Sequence, residues 1–529
     1  MVRKNVAEIL ENHVTFELEA IDRMYLNAYV PSLQTGAGFV YFVKTQLGTP
    51  VPSTKLVAPM SEQFVKAIER FVTTERIDLV PFEKGQRKDD VAQDYLVRFE
   101  GDEGVLFVGK AQEKASVFRT EKRRDSAGKT YPWIIRSTAM VNHYYFYILD
   151  KDFGPLFIKV CSYFPYPAKV CLNGHEWLKR QLTHRAIPFE PLDNGIRSTA
   201  APARVQRMAN DLDAAKIDAV VRKWFRRLPH PFTSAHRAAG YRYHLSILQS
   251  EFALTQVLDR PLTGRCFFEE VIRENLDIGR PDQMQLIFQR RVTRRTPGGF
   301  RTRVLTEGVV PSLHVQYKRS KVKQYHKDGQ ALRTETTIND TYDFAIGRAL
   351  RNLPALREIG FAANRRLLRV ESLSHDCLIG EDHLEAVTQP VVGHDYRAAG
   401  LRFGDRRVLA LMHTLCLFAV LPTGVRHRDV HAHVAQLLGR AMDTYGPSQM
   451  TYDLRRLRLH GLIERVPRSH RYRITPFGAR TAMLYVRLYA RALRPAASLQ
   501  PDGSARGRQA FDRLDTALAS FLQEVHLAA

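Results

Sequence analysis

Asp150 and Asp152 bracket a turn in "LDKDFGP", and His175 and Glu176 open the helix predicted for "NGHEWLKRQLTHR". Carboxylates gathered from a turn and a helix start hold Mg²⁺ for phosphodiester hydrolysis, with a histidine set to move a proton. Asp150, Asp152 and Glu176 are therefore the candidate metal ligands, and His175 joins them as a candidate catalytic residue. Asp22, Glu113 and Glu335 are further carboxylates that such a centre can recruit. The same residues also have plain structural uses: Asp favours turns, and Asn173 with Glu176 makes a capping box. Mg²⁺ is the cofactor implied if the chain cleaves nucleic acid.

Three other motifs fail on chemistry. "GVLFVGKA" at 104–111 has the spacing of a phosphate loop, but Ala111 stands where a Ser or Thr holds magnesium. "HEWLK" at 175–179 ends in Lys179, so no second zinc ligand follows one turn on. Cys161, Cys171, His175 and His184 are irregularly spaced, and the five cysteines form no C-x-x-C pair, which fits reduced thiols in a cytoplasm.

Polyanion binding is the second chemistry on offer. The formal net charge is +24, and two windows concentrate it. Residues 401–495 hold 17 Arg and no Lys against five acids; residues 290–335 hold 12 Lys and Arg against three. Clustering of that kind points to binding surfaces and not to general solubility. In "YKRSKVKQYHK", strand alternation sends Lys321, Lys323, Tyr325 and Lys327 to one face, with Lys318 beside them, a candidate secondary nucleic-acid surface. An exposed strand edge blunted by lysine is the alternative. The rhythm Tyr325, Lys327, Leu332, Arg333, Glu335 resembles a strand pair of phage and plasmid replication initiators over about ten residues. The His-hydrophobic-His metal pair of those enzymes is missing, since His314 is followed by Gln316.

From about 404 to 490 the predicted order is helix, helix, helix, two strands, helix. "SQMTYDLRRLRLHG" is the third helix, with Gly461 as its stop, and Pro476 starts the last. Helical spacing puts Met450, Leu454, Leu457 and Gly461 on an inward stripe. Ser448, Tyr452, Arg455 and Arg456 are expected outward, with Thr451 and Arg458 on one flank and Arg468, His470, Arg471 and Arg473 at the tip of the strand pair. This order, with the G-L-I-x-R turn into the hairpin, resembles the winged-helix family, which implies DNA contacts from those residues. Through "NGHEW", "LRTETTIN" and this unit together, the whole chain is similar to a set of large bacterial proteins, a resemblance that implies no activity.

These residues must be positioned by several domains, because 529 residues exceed one hydrophobic core. The expected class is α+β multidomain: a mixed α/β domain at 1–195 as possible catalytic core, helices plus a basic antiparallel sheet at 205–375, a winged helix at 400–494 and an amphipathic helix at 508–527. "DYLVRFEGDEGVLFVGKAQEK" and "VNHYYFYILDKDFGPLFIKVCSYF" are expected as hairpins, and "LSILQSEFALTQVL" as a helix. No apolar run reaches membrane-spanning length and no secretory signal opens the chain, so the expected location is the cytoplasm. The expected function is a nucleic-acid-binding protein of mobile-element, replication or recombination type, with metal-dependent cleavage in its N-terminal region. DNA is the expected partner and RNA the alternative, and the last helix is a candidate for pairing with a second copy. A non-enzymatic transcriptional regulator with a large effector or dimerisation region is the competing reading.

Overall fold

The structure is a computed structural model that describes residues 6–83, 85–274, 300–305, 312–327, 331–375, 381–393, 396–418, 425–440, 444–467, 469–489 and 516. It is a mixed α+β protein, and its chain divides into two compact units. One comprises residues 13–268 and 297–365, the other 1–12, 269–296 and 366–529.

The first unit is built on one sheet. Its strands are β1 (Val14–Tyr29), β2 (Leu79–Pro81), β3 (Gly104–Arg124), β4 (Thr130–Asp150), β5 (Gly154–Cys161) and β6 (Ala168–Asn173). A separate pair, β7 (Phe189–Leu192) and β8 (Gly195–Thr199), precedes β9 (His244–Leu258), β10 (Phe300–Leu305), β11 (Ser312–Tyr317), β12 (Ser320–Lys327) and β13 (Ala331–Ile338). The eleven strands of the large sheet run in the order β10-β11-β12-β13-β9-β1-β6-β5-β4-β3-β2, antiparallel except where β2 meets β3. Two aromatic cores lie on it. Phe39 and Phe42 of the helix Gly36–Gln46 interlock with Phe118, Phe164 and Phe232. Elsewhere, Val91, Tyr95 and Leu96 of the helix Lys88–Arg98 pack on Phe107, Tyr145 and Tyr147.

The sheet takes strands from both of the expected segments, 1–195 and 205–375. The segment "LSILQSEFALTQVL" is strand β9 and not a helix, paired with β1 on one side and β13 on the other. Phe252 to Leu258 are all buried, so both faces are covered and no alternation marks the strand in sequence. Likewise the segment from Lys88 to Arg98 is a helix, with Asp89 and Asp90 in its first turn and Arg98 in its last, and β3 begins only at Gly104. The second expected hairpin forms as β4 and β5. Residues 275–299, within the segment expected to hold the basic sheet, lie outside the described residues.

In the second unit, a small pair of strands, β14 (Val391–Gly393) and β15 (Tyr396–Ala398), is followed by the helix Arg406–Phe418. Then come β16 (Val425–Arg426), the helices His427–Leu437 and Pro447–Leu459, β17 (Ile463–Arg465), β18 (Arg471–Ile474) and the helix Pro476–Leu488. The three last strands form one sheet in the order β16-β18-β17. Gly439 (φ 66°) and Gly461 (φ 73°) stop the second and third of these helices in the left-handed region. The core is Met412, Leu415, Val430, Val434, Leu454 and Leu457, with Ala482 and Tyr485 from the last helix. The helix expected at 508–527 lies outside the described residues, apart from Thr516. Among the described residues no helix is long and apolar enough to cross a membrane.

Candidate functional site

The expected metal trio does not assemble. Asp150 is buried and fully occupied: its carboxylate accepts from the backbone of Asp152 (2.9 Å) and Phe153 (3.0 Å), from Trp224 Nε1 (2.8 Å) and from Lys223 Nζ (2.7 Å). Burial alone would raise its pKa, but these donors hold it below the usual value. It closes the β4–β5 turn onto the helix Ala214–Arg227. Asp152 is half exposed and lies 3.8 Å from His184. Glu176 pairs with Lys179 at 2.7 Å, so only half of a capping box forms, in which Asn173 Oδ1 accepts from the backbone N–H of His175 (2.8 Å) and Glu176 (3.2 Å). Glu113 is bound by Lys88, Lys159 and Tyr145, and despite its burial they depress its pKa to about 2. Among the described residues no three His, Cys, Asp or Glu side chains gather to hold a metal ion.

His175 is fully buried and does not face a substrate space. Its Nε2 lies 2.7 Å from Arg333 Nη2. A guanidinium only donates, so Nε2 accepts and the ring proton sits on Nδ1. Burial, reinforced by the Arg333 cation, pushes its pKa down to about 3. The lone pair that a general base needs is already committed.

Arg333 is the centre that sequence pattern alone does not reveal. It is wholly buried, and each of its five N–H donors has an acceptor. Nε donates to Glu335 (3.1 Å), Nη1 to Thr255 Oγ1 (2.9 Å) and the Asn194 carbonyl (3.0 Å), and Nη2 to Asp22 (2.8 Å) and His175. Strand register explains the meeting, since Tyr325, Arg333 and Thr255 stand side by side on β12, β13 and β9. Asp22 enters from an irregularity in β1 between Ile21 and Met24. Burial alone would raise its pKa, but Arg333 and the amide of Asn194 (2.7 Å) hold it at about 2. Glu335 moves the other way, raised by burial and by the nearby Asp22, and accepts from the Tyr325 hydroxyl at 2.8 Å.

Beside this network is a cavity of about 740 Å³. The sheet supplies Asp22, Tyr25, Glu251, Tyr325, Lys327 and Glu335; Asp89, Glu176, Asp193 and Asn194 come from the flanking helices and the β7–β8 turn. Glu251 is raised by burial and by Asp22 and Glu335. Its proton is held more tightly than that of a free glutamate. Six acidic side chains and two cations, Arg23 and Lys327, line the wall.

The expected secondary surface is partly drawn into that cavity. Val322 and Gln324 are buried and Lys321, Lys323, Tyr325 and Lys327 take the opposite face, as alternation requires. Tyr325 binds Glu335, however, and Lys327 pairs with Asp193 at 3.3 Å. Lys323 lies over the Tyr325 ring at 4.0 Å, and Lys318 sits in the left-handed turn before β12.

In the second unit, Ser448, Thr451, Tyr452, Arg455 and Arg458 are exposed along the helix Pro447–Leu459. Thr451 Oγ1 also contacts His427 Nε2 at 3.1 Å. Arg456 departs from expectation. It is buried, with Nε donating to the Ala399 carbonyl at 2.7 Å and Nη2 to that of Gly400. Two residues beyond Leu454 and one before Leu457, it flanks the inward stripe and is long enough to cap the carbonyls that follow β15. Asp453, the one acid of this helix, is buried against Arg407 (2.8 Å) and the Tyr445 hydroxyl. On the strand pair, His470 and Arg473 are exposed, Arg471 is half-buried, and Arg473 lies 3.4 Å from Glu464. Arg468 lies outside the described residues.

Compared with models of protein families, with curated proteins and with solved structures, the chain matches none.

Proposed function

We propose that residues 400–490 form a winged helix that binds duplex DNA, and that the chain is a nucleic-acid-binding protein. One observation carries the reading: the helix Pro447–Leu459 buries its only carboxylate, turns Arg456 inward, and leaves Ser448, Thr451, Tyr452, Arg455 and Arg458 exposed. That face offers guanidinium forks for base edges and hydroxyls for phosphates, with no acid to repel them. The order of elements supports the fold assignment: helix, short strand, two helices, strand pair and closing helix, the strands sharing one sheet. A helix fits the major groove of B-form DNA and not the deep, narrow one of A-form RNA, so DNA duplex is the favoured partner. No cleavage step is included, because Asp150 and Glu176, two of the three carboxylates expected to hold a metal, are paired with Lys223 and Lys179.

The test is equilibrium binding of a short fluorescein-labelled DNA duplex by the full chain. Arg455→Ala with Arg458→Ala should weaken binding by about tenfold or more, at about 1–3 kcal/mol for each arginine–base pairing removed. Because both side chains are exposed, the unfolding temperature should hold. Equal affinities for the variant and the unaltered protein would remove the assignment.

A further inference from the structure

Past the last pairing with β5, at His143 and Cys161, strands β3 and β4 pair with no further strand among the described residues and run on as a two-stranded ribbon closed by Asp125 to Lys129. The turn is built, since Asp125 Oδ1 accepts from the backbone N–H of Ala127 (3.0 Å) and Lys129 (2.8 Å), and Gly128 takes φ 77°. One ribbon face is anchored. Phe118 and Ile134 are buried on it, Phe118 packs on Phe39, and Arg136 donates to the Gln34 carbonyl at 2.7 Å. The opposite face pairs Arg123 with Tyr131 and Glu121 with Trp133.

That opposite face is solvated although two large rings stand on it. Trp133 is 46% exposed and Tyr131 36%, set edge to face at 6.3 Å, with the Arg123 guanidinium 4.9 Å from the Trp133 ring. Residues 119–136 carry six Lys and Arg against two acids. Both acids have local work: Asp125 holds the turn and Glu121 lies between Arg119 (2.8 Å) and Arg123 (3.8 Å). Lys129 is exposed in the turn, and Lys122 and Arg124 are exposed at the outer end of the anchored face.

We propose that this ribbon grips single-stranded nucleic acid, stacking unpaired bases on Trp133 and Tyr131 while Arg119 and Arg123 of the same face and Lys129 of the turn follow the phosphates. Exposed rings on a cationic strand surface suit bases whose faces are free, whereas a closed duplex hides those faces. The inference rests on the nucleic-acid reading above but adds a second site with a different preference, for strand over duplex.

The chain has three tryptophans, and Trp177 (4% exposed) and Trp224 (2%) are buried. Quenching of intrinsic fluorescence by an oligothymidylate therefore reports on Trp133. The full-length protein should be quenched on binding. Trp133→Ala with Tyr131→Ala should bind the strand about tenfold more weakly or worse, at about 1–3 kcal/mol per stacked base, while duplex affinity stays within about twofold. Trp133→Phe should keep most of the strand affinity and lose the quench, which separates stacking from misfolding. Unchanged strand affinity in the double variant, or binding without quench, overturns the proposal. Duplex binding without strand binding sinks the ribbon alone; binding of neither sinks both readings.

Discussion

Arg333 concentrates the residue-scale physics of the sheet unit. A fully buried guanidinium stands only because five acceptors surround it, two of them carboxylates. Arg333→Met keeps the volume but leaves Asp22 buried without its cation. We expect a loss of about 3–5 kcal/mol, read as a lower urea midpoint; a loss under about 1 kcal/mol would mean that the network is incidental. His175 adds a pH signature. Its pKa, near 3 when folded and 6.5 when free, lies lower in the native state, so the unfolded chain binds the proton first. Its contribution is complete above pH 6.5 and falls as pH drops from there toward 3, by at most about 1.4 kcal/mol per pH unit. His175→Gln should flatten that slope, and identical slopes in both proteins would contradict the burial argument. The Tyr325, Arg333 and Glu335 rhythm is visible in sequence, but Asp22 has no local mark: an acid in an apolar strand meets its cation 311 residues away.

Elements with a one-sided pattern were legible and those covered on both sides were not. Helical spacing in the helix at 58–75 puts Phe64, Ile68 and Val72 on one face, of which the first two are buried and Val72 half-buried; the β4–β5 hairpin and, apart from the short strand β16, the elements from 406 to 488 lie where periodicity, glycine stops and Pro476 put them. Strand β9 escaped because burial on both faces erases alternation, and the helix at 88–98 escaped because Tyr95, Leu96 and Val97 read locally as strand. The helix Leu353–His375 approaches β9 so closely that a Cβ on Gly360 would overlap the Phe252 ring, beside the Phe252–Phe361 edge contact. Helix propensity favours Gly360→Ala by about 1 kcal/mol, yet the overlap should win and cost about 1–3 kcal/mol net. Thermal melts of the variant decide the sign, and a higher melting temperature would refute this packing.

At the scale of the whole molecule, the cationic windows are legible in composition, while a sheet that joins residues 14 and 338 is not. The cavity and the cationic surfaces differ in composition: six acidic side chains line the one, and exposed arginines stand on the helix at 447–459 and on the β3–β4 ribbon. The candidate site was least legible where burial decides. Arg455 and Arg456 are adjacent and identical in type, yet one faces water and the other caps the Ala399 and Gly400 carbonyls. Their contrast makes the salt dependence of duplex affinity the sharpest measurement of DNA recognition by the exposed face. Each phosphate that a side chain ceases to neutralise lowers the slope of log affinity against log salt by about 0.9. Replacing Arg455 and Arg458 by alanine should weaken duplex binding at every salt concentration and flatten the slope by up to about 2 at an unchanged melting temperature. Unaltered affinity and slope would contradict duplex recognition by this helix.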